Sequence, residues 1–204
     1  MYAIITDGSI SKYVTHPKPL VIGDVQYPAR IFSAWTASEL AAIGIIEVTY
    51  DYSNKKDEKW YINTNQTFTY DASAGTVTAT YGSATAKAHA DTLWTAQDET
   101  DGLGIEGEVK VEGLKTQLIK TIKQQAAGKL QKTDWYIVRK ADAGTAVPSA
   151  ITNHRAAVRT KTAQMETAIT NASNTPALET LYTYTEQEDG SVARPLGELP
   201  SLES

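Results

Sequence analysis

The chain has no cysteine, two phenylalanines and two methionines, and nowhere a stretch resembling the ~18 uninterrupted apolar residues of a membrane span. The lack of cysteine excludes disulfides, thiolate zinc sites and cysteine nucleophiles together. Positive charge is also in short supply. Nineteen lysines and arginines face 24 aspartates and glutamates, the net charge is -5 and the pI is near 5.2. Affinity for phosphate backbones needs many basic side chains gathered on one face, so nucleic acid is not an expected partner. The start, MYAIITDGSISKY, lacks the basic region and apolar stretch of a signal peptide. The expectation is a protein that stays soluble in the cell where it is made, with no membrane partner.

What is present is ordinary for a folded protein. Of 204 residues, 41% are hydrophobic and 21% charged, enough for one substantial domain or for a small domain joined to a helical one. Eleven tyrosines and four tryptophans favour aromatics with a polar handle, which suit partly wet contacts and interfaces as well as strand surfaces.

Tyr2 to Ile5 and Ser9 to Val14 read as two strands around Asp7-Gly8, since that pair supplies the positive φ angles of a tight hairpin. His16-Pro17-Lys18-Pro19 removes backbone donors and should break pairing before Leu20 to Ile22 resumes an extended edge at Gly23-Asp24. Thr36-Ala37-Ser38-Glu39 has the spacing of a capping box, so a short helix of about two turns should run to Gly44. Ile45 to Tyr52, Lys59 to Asn63, Thr67 to Asp71 and Thr76 to Tyr81 carry strand composition or two-residue alternation, with Ala72 to Gly75 as a turn. From Gly82 to Gly107 alanine, threonine, aspartate and glycine dominate, the composition of a linker, with Trp94 as a possible anchor on a neighbour.

Leu114, Leu118, Ile122 and Ala126 recur every four residues and predict a helix from about Val111 to Leu130. Thr133-Asp134 fits a helix cap for Trp135-Tyr136-Ile137-Val138-Arg139, although that β-branched, aromatic run also reads as a strand. Pro148 is placed as the first residue of a long helix. Within it Ile151, Val158, Met165 and Ala172 repeat every seven residues, with Ile169 added and with Arg155 and Thr162 diluting the seam. Packing on the preceding helix accounts for this repeat; a homo-oligomeric coiled coil is the alternative. Pro176 to Leu181 reads as a short helix and Tyr182 to Thr185 as a strand. The segment around Pro195 to Pro200 has no periodicity and should be ordered by contact with something else, if at all.

The expected fold class is therefore α+β: a β-rich N-terminal domain over residues 1–82 with one short helix, a linker over 83–108, a helical C-terminal domain over 109–185 and an extended tail over 186–204.

The chemistry-bearing residues do not assemble into a reactive set. His16, His89 and His154 are scattered, and none has a second ligand at helical spacing, so neither a metal site nor a cofactor is expected. Asp98-Glu99-Asp101 and Glu186-Glu188-Asp189 supply paired carboxylates of the kind that cleave glycosides, but in loop-like sequence where solvated charge is the simpler account. Gly102, Gly104 and Gly107 have the G-x-G-x-x-G spacing without the preceding hydrophobic strand, and read as a flexible connection. No enzymatic activity is expected.

Two segments carry a resemblance. Ile5-Thr6-Asp7-Gly8, Tyr27-Pro28, Trp35, Ser38-Glu39-Leu40 and Ile43-Gly44-Ile45 resemble the start of many bacteriophage tail proteins encoded near tail-fibre genes. Thr133-Asp134-Trp135-Tyr136, Arg139, Gly144-Thr145-Ala146-Val147-Pro148 and Arg155 to Arg159 are similar to the region in which tail-fibre assembly proteins carry a threonine-aspartate-tryptophan element followed by a proline-started helix bearing arginines. The strand-rich segment around Trp60 to Tyr81 departs from that pattern. The resemblance implies binding to a phage tail-fibre or baseplate protein, either as an assembly chaperone in the host cytoplasm or as a fibre-bound component of the virion tail. Trp135 and Tyr136 would be the aromatic anchor, for the domain's own core or for that partner, and Arg139, Arg155 and Arg159 would meet partner carboxylates unless they are ordinary exposed helix arginines. Recognition of host-surface glycans through exposed aromatics is the alternative function.

Overall fold

Asp7 (φ 50°) and Gly8 (φ 74°) both adopt the left-handed conformation in the computed structural model, which describes residues 1–202. Two successive positive φ angles make the tight turn that joins β1 (Tyr2–Thr6) to β2 (Ser9–Val14). The chain divides into two compact units, Met1–Thr85 and Ala86–Ser204.

In the first unit, β3 (Leu20–Ile22) and β4 (Val25–Tyr27) form a hairpin about Gly23-Asp24, after the proline-rich break. Two short helices follow, α1 (Ile31–Ala34) and α2 (Ala37–Ala42). The second is the expected one; the first, a single turn, is too short to leave a helical period in the sequence. At the start of α2 the Thr36 hydroxyl accepts from the Glu39 amide, and the Glu39 carboxylate accepts from the Thr36 amide at 2.7 Å. These bonds hold the Glu39 carboxyl below its usual pKa, the backbone bond foremost. Gly44 ends the helix at φ 78°, where an added Cβ would lie 2.7 Å from the Ile5 carbonyl oxygen.

β5 (Ile45–Asp51), β6 (Tyr61–Ile62), β7 (Gln66–Asp71) and β8 (Thr76–Tyr81) complete the strands of this unit, and β9 (Thr85–Ala86) straddles its end. The main sheet has the order β2-β1-β5-β8-β7, with β5 and β8 parallel and every other pair antiparallel. It curls far enough for its two edge strands to meet, with the rings of Tyr13 and Phe68 at 4.8 Å. Alternation sorts the side chains between two faces. Ile4, Val14 and Ile45 pack with Leu20, Ile31, Phe32 and Leu40 under the hairpin and helices; Ala3, Val48, Val77 and Ala79 fill the other face. The strand expected over Lys59 to Asn63 shrinks to β6, because Asp57 to Trp60 forms a turn that buries the Trp60 side chain.

The second unit begins earlier than expected. The segment 83–108, predicted as a linker, is folded: β10 (Thr92–Leu93) pairs with β11 (Val109–Val111) around α3 (Ala96–Thr100). Trp94 packs within this lobe, where a Cβ on Gly104 would strike its ring at 2.4 Å and Lys110 sits 4.4 Å from its centroid. Asp91 then accepts from the Gly113 amide and the Thr116 hydroxyl, capping α4 (Leu114–Gln131).

α4 buries Leu114, Leu118, Ile122 and Ala126 against α6 (Ser149–Asn171). The two run antiparallel, since Lys115 donates to the Thr170 carbonyl, Lys123 pairs with Glu166, and Arg155 donates to the Leu130 carbonyl. The buried residues of α6 are Ile151, Arg155, Val158, Thr162, Met165 and Ile169, alternating steps of four and three. Arg155 and Thr162 do not dilute the seam; they belong to it. α4 occupies this seam within the chain, as the simpler expectation had it. Pro148 is the residue before the helix, one earlier than predicted.

α5 (Asp134–Ala143) lies between these helices in sequence, and α7 (Thr175–Tyr182) follows them, capped by the Asn174 side chain. The run from Trp135 is thus helix, not strand. β12 (Thr185–Glu186) and β13 (Val192–Ala193) form a hairpin at Asp189-Gly190, so the strand expected over Tyr182 to Thr185 is displaced by the end of α7. The remainder of 186–204 is not an extended tail as far as it is described. Leu196 and Leu199 are buried, and the Leu196 amide donates to the Leu181 carbonyl. Two leucines without helical or strand period are enough to dock the segment on its own unit. The α+β class holds, with a strand-rich first part and a helical second part.

Candidate functional site

The residue that sets α5 in place is Thr133, and it does so without capping the helix. Its hydroxyl turns back to donate to the Leu130 carbonyl at 2.9 Å and accepts from Arg155 at 2.7 Å, so the predicted side-chain cap is absent. The same Arg155 nitrogen donates to the Leu130 carbonyl and to the Asp134 carboxylate, each at 2.8 Å. One guanidinium therefore ties the end of α4 and the start of α5 to α6. At 8% exposure it is not offered to a partner, and the expectation that Arg155 meets partner carboxylates gives way to a structural role. A buried cation needs paired, hydrogen-bonded company, and these three acceptors supply it.

Beyond this clasp α5 buries none of its ten residues. Trp135 is 51% exposed, Ile137 43% and Val138 65%. The rings of Trp135 and Tyr136 approach to 3.9 Å between centroids, and the Arg139 guanidinium lies 4.7 Å from the first and 5.5 Å from the second. Stacking of this kind fixes a flexible arginine and two aromatics as one group. The helix ends at Gly144 (φ 66°), whose amide donates to the Lys140 carbonyl.

Of the five residues singled out from sequence, Trp135, Tyr136 and Arg139 are brought together here, and exposure places Trp135 outside the core. Arg159 is exposed further along α6, on a shallow depression that it shares with Lys123, Ala126 and Thr162. Sequence reading missed Thr133 as a buried acceptor for Arg155. It also missed a second aromatic group, on the first unit. The rings of Tyr50 and Tyr52 are 6.1 Å apart and nearly parallel, Tyr81 is 6.1 Å from Tyr52, and Lys55 sits over Tyr81. Tyr50 near the end of β5 and Tyr52 just beyond it have two-residue spacing, a signal present in the sequence; Tyr81 joins them through the pairing of β5 with β8, which is not.

The other candidate groups take other roles. Asp98 closes a capping box with Thr95 and pairs with Lys110 at 2.9 Å. The Thr95 backbone bond, then the Lys110 and Thr95 side chains, lower its pKa to about 2, the opposite of what a general acid requires. Asp189 is likewise lowered, by the Ser191 side chain and amide. Gly104 lies beneath Trp94 and not around a phosphate-sized space. Among the described residues no three histidine or carboxylate side chains converge as metal ligands, and no helix is long and apolar enough to cross a membrane. No family model matches the chain, and neither a curated protein nor a solved structure matches it.

Proposed function

We propose that this protein acts by binding another protein through α5, as a bacteriophage tail-fibre-associated factor: a fibre assembly chaperone or a fibre-bound component of the virion tail. The observation that supports it most is a ten-residue helix with no fully buried residue that carries Trp135, Ile137 and Val138 largely in solvent, with the half-buried Arg139 stacked beside Trp135. Tryptophan, tyrosine and arginine are the residues on which binding energy concentrates at interfaces. The resemblance around Thr133 to Arg159 supplies the partner class, a tail-fibre or baseplate protein, and with it a place of action in the host cytoplasm during assembly or in the virion tail. The action proposed is non-enzymatic, and the lowered pKa of Asp98 speaks only against that residue as a general acid. Co-expression with a candidate fibre tests the reading: the fibre should co-purify with the wild-type chain and be lost with Trp135→Ala, while mass spectrometry of purified virions separates chaperone from retained part. Equal recovery of fibre with both chains would remove α5 from the contact.

A second reading, recognition of host-surface glycans, is favoured by the exposed Tyr50 and Tyr52 with the half-buried Tyr81 beside them, since aromatic faces suit the apolar faces of sugar rings. Glycan-array binding without any fibre, abolished by Tyr52→Ala, is its expected signature.

A further inference from the structure

Lys129, Lys132 and His154 line a cavity of about 310 Å³, together with Thr133, Ser201 and Leu202. The lysines come from the end of α4, the histidine from the second turn of α6, and the last two residues from the carboxy-terminal segment. Among the described residues no carboxylate forms part of the wall. Elsewhere in a chain with 24 acidic residues against 19 basic ones, lysines on α4 do pair with acidic neighbours, as Lys120 does with Glu112 and Lys123 with Glu166. Lys129 and His154 are half-buried, which removes part of the water that would otherwise screen them. Behind Thr133 stands the Arg155 guanidinium, its charge shared with Asp134.

The carbonyl end of α4 favours a lysine nearby, and this dipole accounts for part of the arrangement. It does not explain the histidine brought in from a different helix. Two ammonium groups on one wall repel each other, and an anion between them reverses the sign of each interaction. The space equals about ten water molecules at ~30 Å³ each, enough for a tetrahedral or planar oxyanion that keeps part of its hydration. A broader depression bordered by the same Lys129, Lys132 and Ser201, and on its far side by Arg194 paired with Glu198, gives such a group a way in.

We propose that this cavity is a binding site for an oxyanion, a phosphate or carboxylate group, held by the ammonium groups of Lys129 and Lys132, a ring N–H of His154 and the Ser201 hydroxyl. The group is carried either by a free small anion or by an acidic side chain of a bound protein. The site does not depend on what α5 binds.

The test is calorimetric titration of the full chain with inorganic phosphate and with citrate, at ionic strength held constant with chloride. Saturable binding is expected, weakened roughly tenfold or more by Lys129→Gln combined with His154→Gln, and measurably by Lys132→Gln alone. Lys18→Gln, in the amino-terminal unit, should leave it unchanged. Lys132 is exposed, so its substitution keeps the test decisive even if the double variant does not fold. A hexaglutamate peptide that displaces phosphate assigns the site to acidic side chains, and failure to displace it assigns the site to free anions. No saturable heat with either anion, or equal affinity in wild type and Lys132→Gln, overturns the proposal.

Discussion

α5 and α6 belong to the same unit and invert the usual relation between residue type and burial. α6 holds a guanidinium and a threonine hydroxyl in its packed seam, while α5 leaves a tryptophan, an isoleucine and a valine in solvent. Position and polar satisfaction explain the contrast better than hydrophobicity does. Arg155 and Thr162 fall on the alternating four- and three-residue steps that face α4, so the helix cannot dock without taking them in. Each then finds its partners: Arg155 three acceptors, and Thr162 the Val158 carbonyl at 2.7 Å. A polar group that finds hydrogen-bond partners costs less inside than one left without them. α5 touches α4 only lightly and buries no residue fully, so no seam draws its apolar side chains in.

The contrast can be broken most severely at Ile169, which is fully buried on the apolar side of the same seam. Ile169→Ala should cost about 2–5 kcal/mol in denaturant unfolding, the usual range for a buried isoleucine truncated to alanine. Arg155→Met comes next. It retains most of the stem but strips Thr133 and Asp134 of their donor and leaves the Leu130 carbonyl short of one, with an expected loss of about 3 kcal/mol. Combining it with Thr133→Val should cost less than the sum of the two, because the Arg155–Thr133 bond is lost in both. Strict additivity in that cycle would mean that the clasp does not hold α5. Thr162→Val is the sharper control: the lost bond to its own helix and the gained apolar contact nearly cancel, and the change should stay within about 1 kcal/mol.

How much of this was legible in the residues differs along the chain. Local signals were read well: the Asp7-Gly8 turn, the Thr36 to Glu39 capping box and the four-residue repeat of α4 each depend on a few adjacent side chains. The first turn of helix at Ile31 was too short to show a period. The lobe built on Trp94 escaped because its order comes from a ring laid on Gly104 and a lysine above it, contacts that glycine-rich composition conceals. Leu196 and Leu199 were passed over for the same reason, as docking by two side chains has no rhythm. At the candidate site the aromatic pair and Arg139 were visible as neighbours on one short run. The fate of Arg155 was not, since it depends on Leu130 and Thr133, more than twenty residues earlier in sequence.

The smallest effect on stability is expected at the most conspicuous residue. Trp135 is half in solvent and its main interactions are the stacked Tyr136 and Arg139, so Trp135→Ala should change unfolding by about 0.5 kcal/mol, near the value of an exposed cation–π contact. Against Ile169→Ala this is a difference of several-fold in the opposite order to side-chain size. If α5 is a binding face, the ranking reverses when the readout is capture of a fibre protein: loss of a central tryptophan typically costs about 2 kcal/mol or more at an interface, a thirtyfold weakening. Measuring both quantities on the same variant separates the two roles. A large stability loss at Trp135 would place it in the core after all, and the reason for leaving α5 uncovered would have to be sought elsewhere.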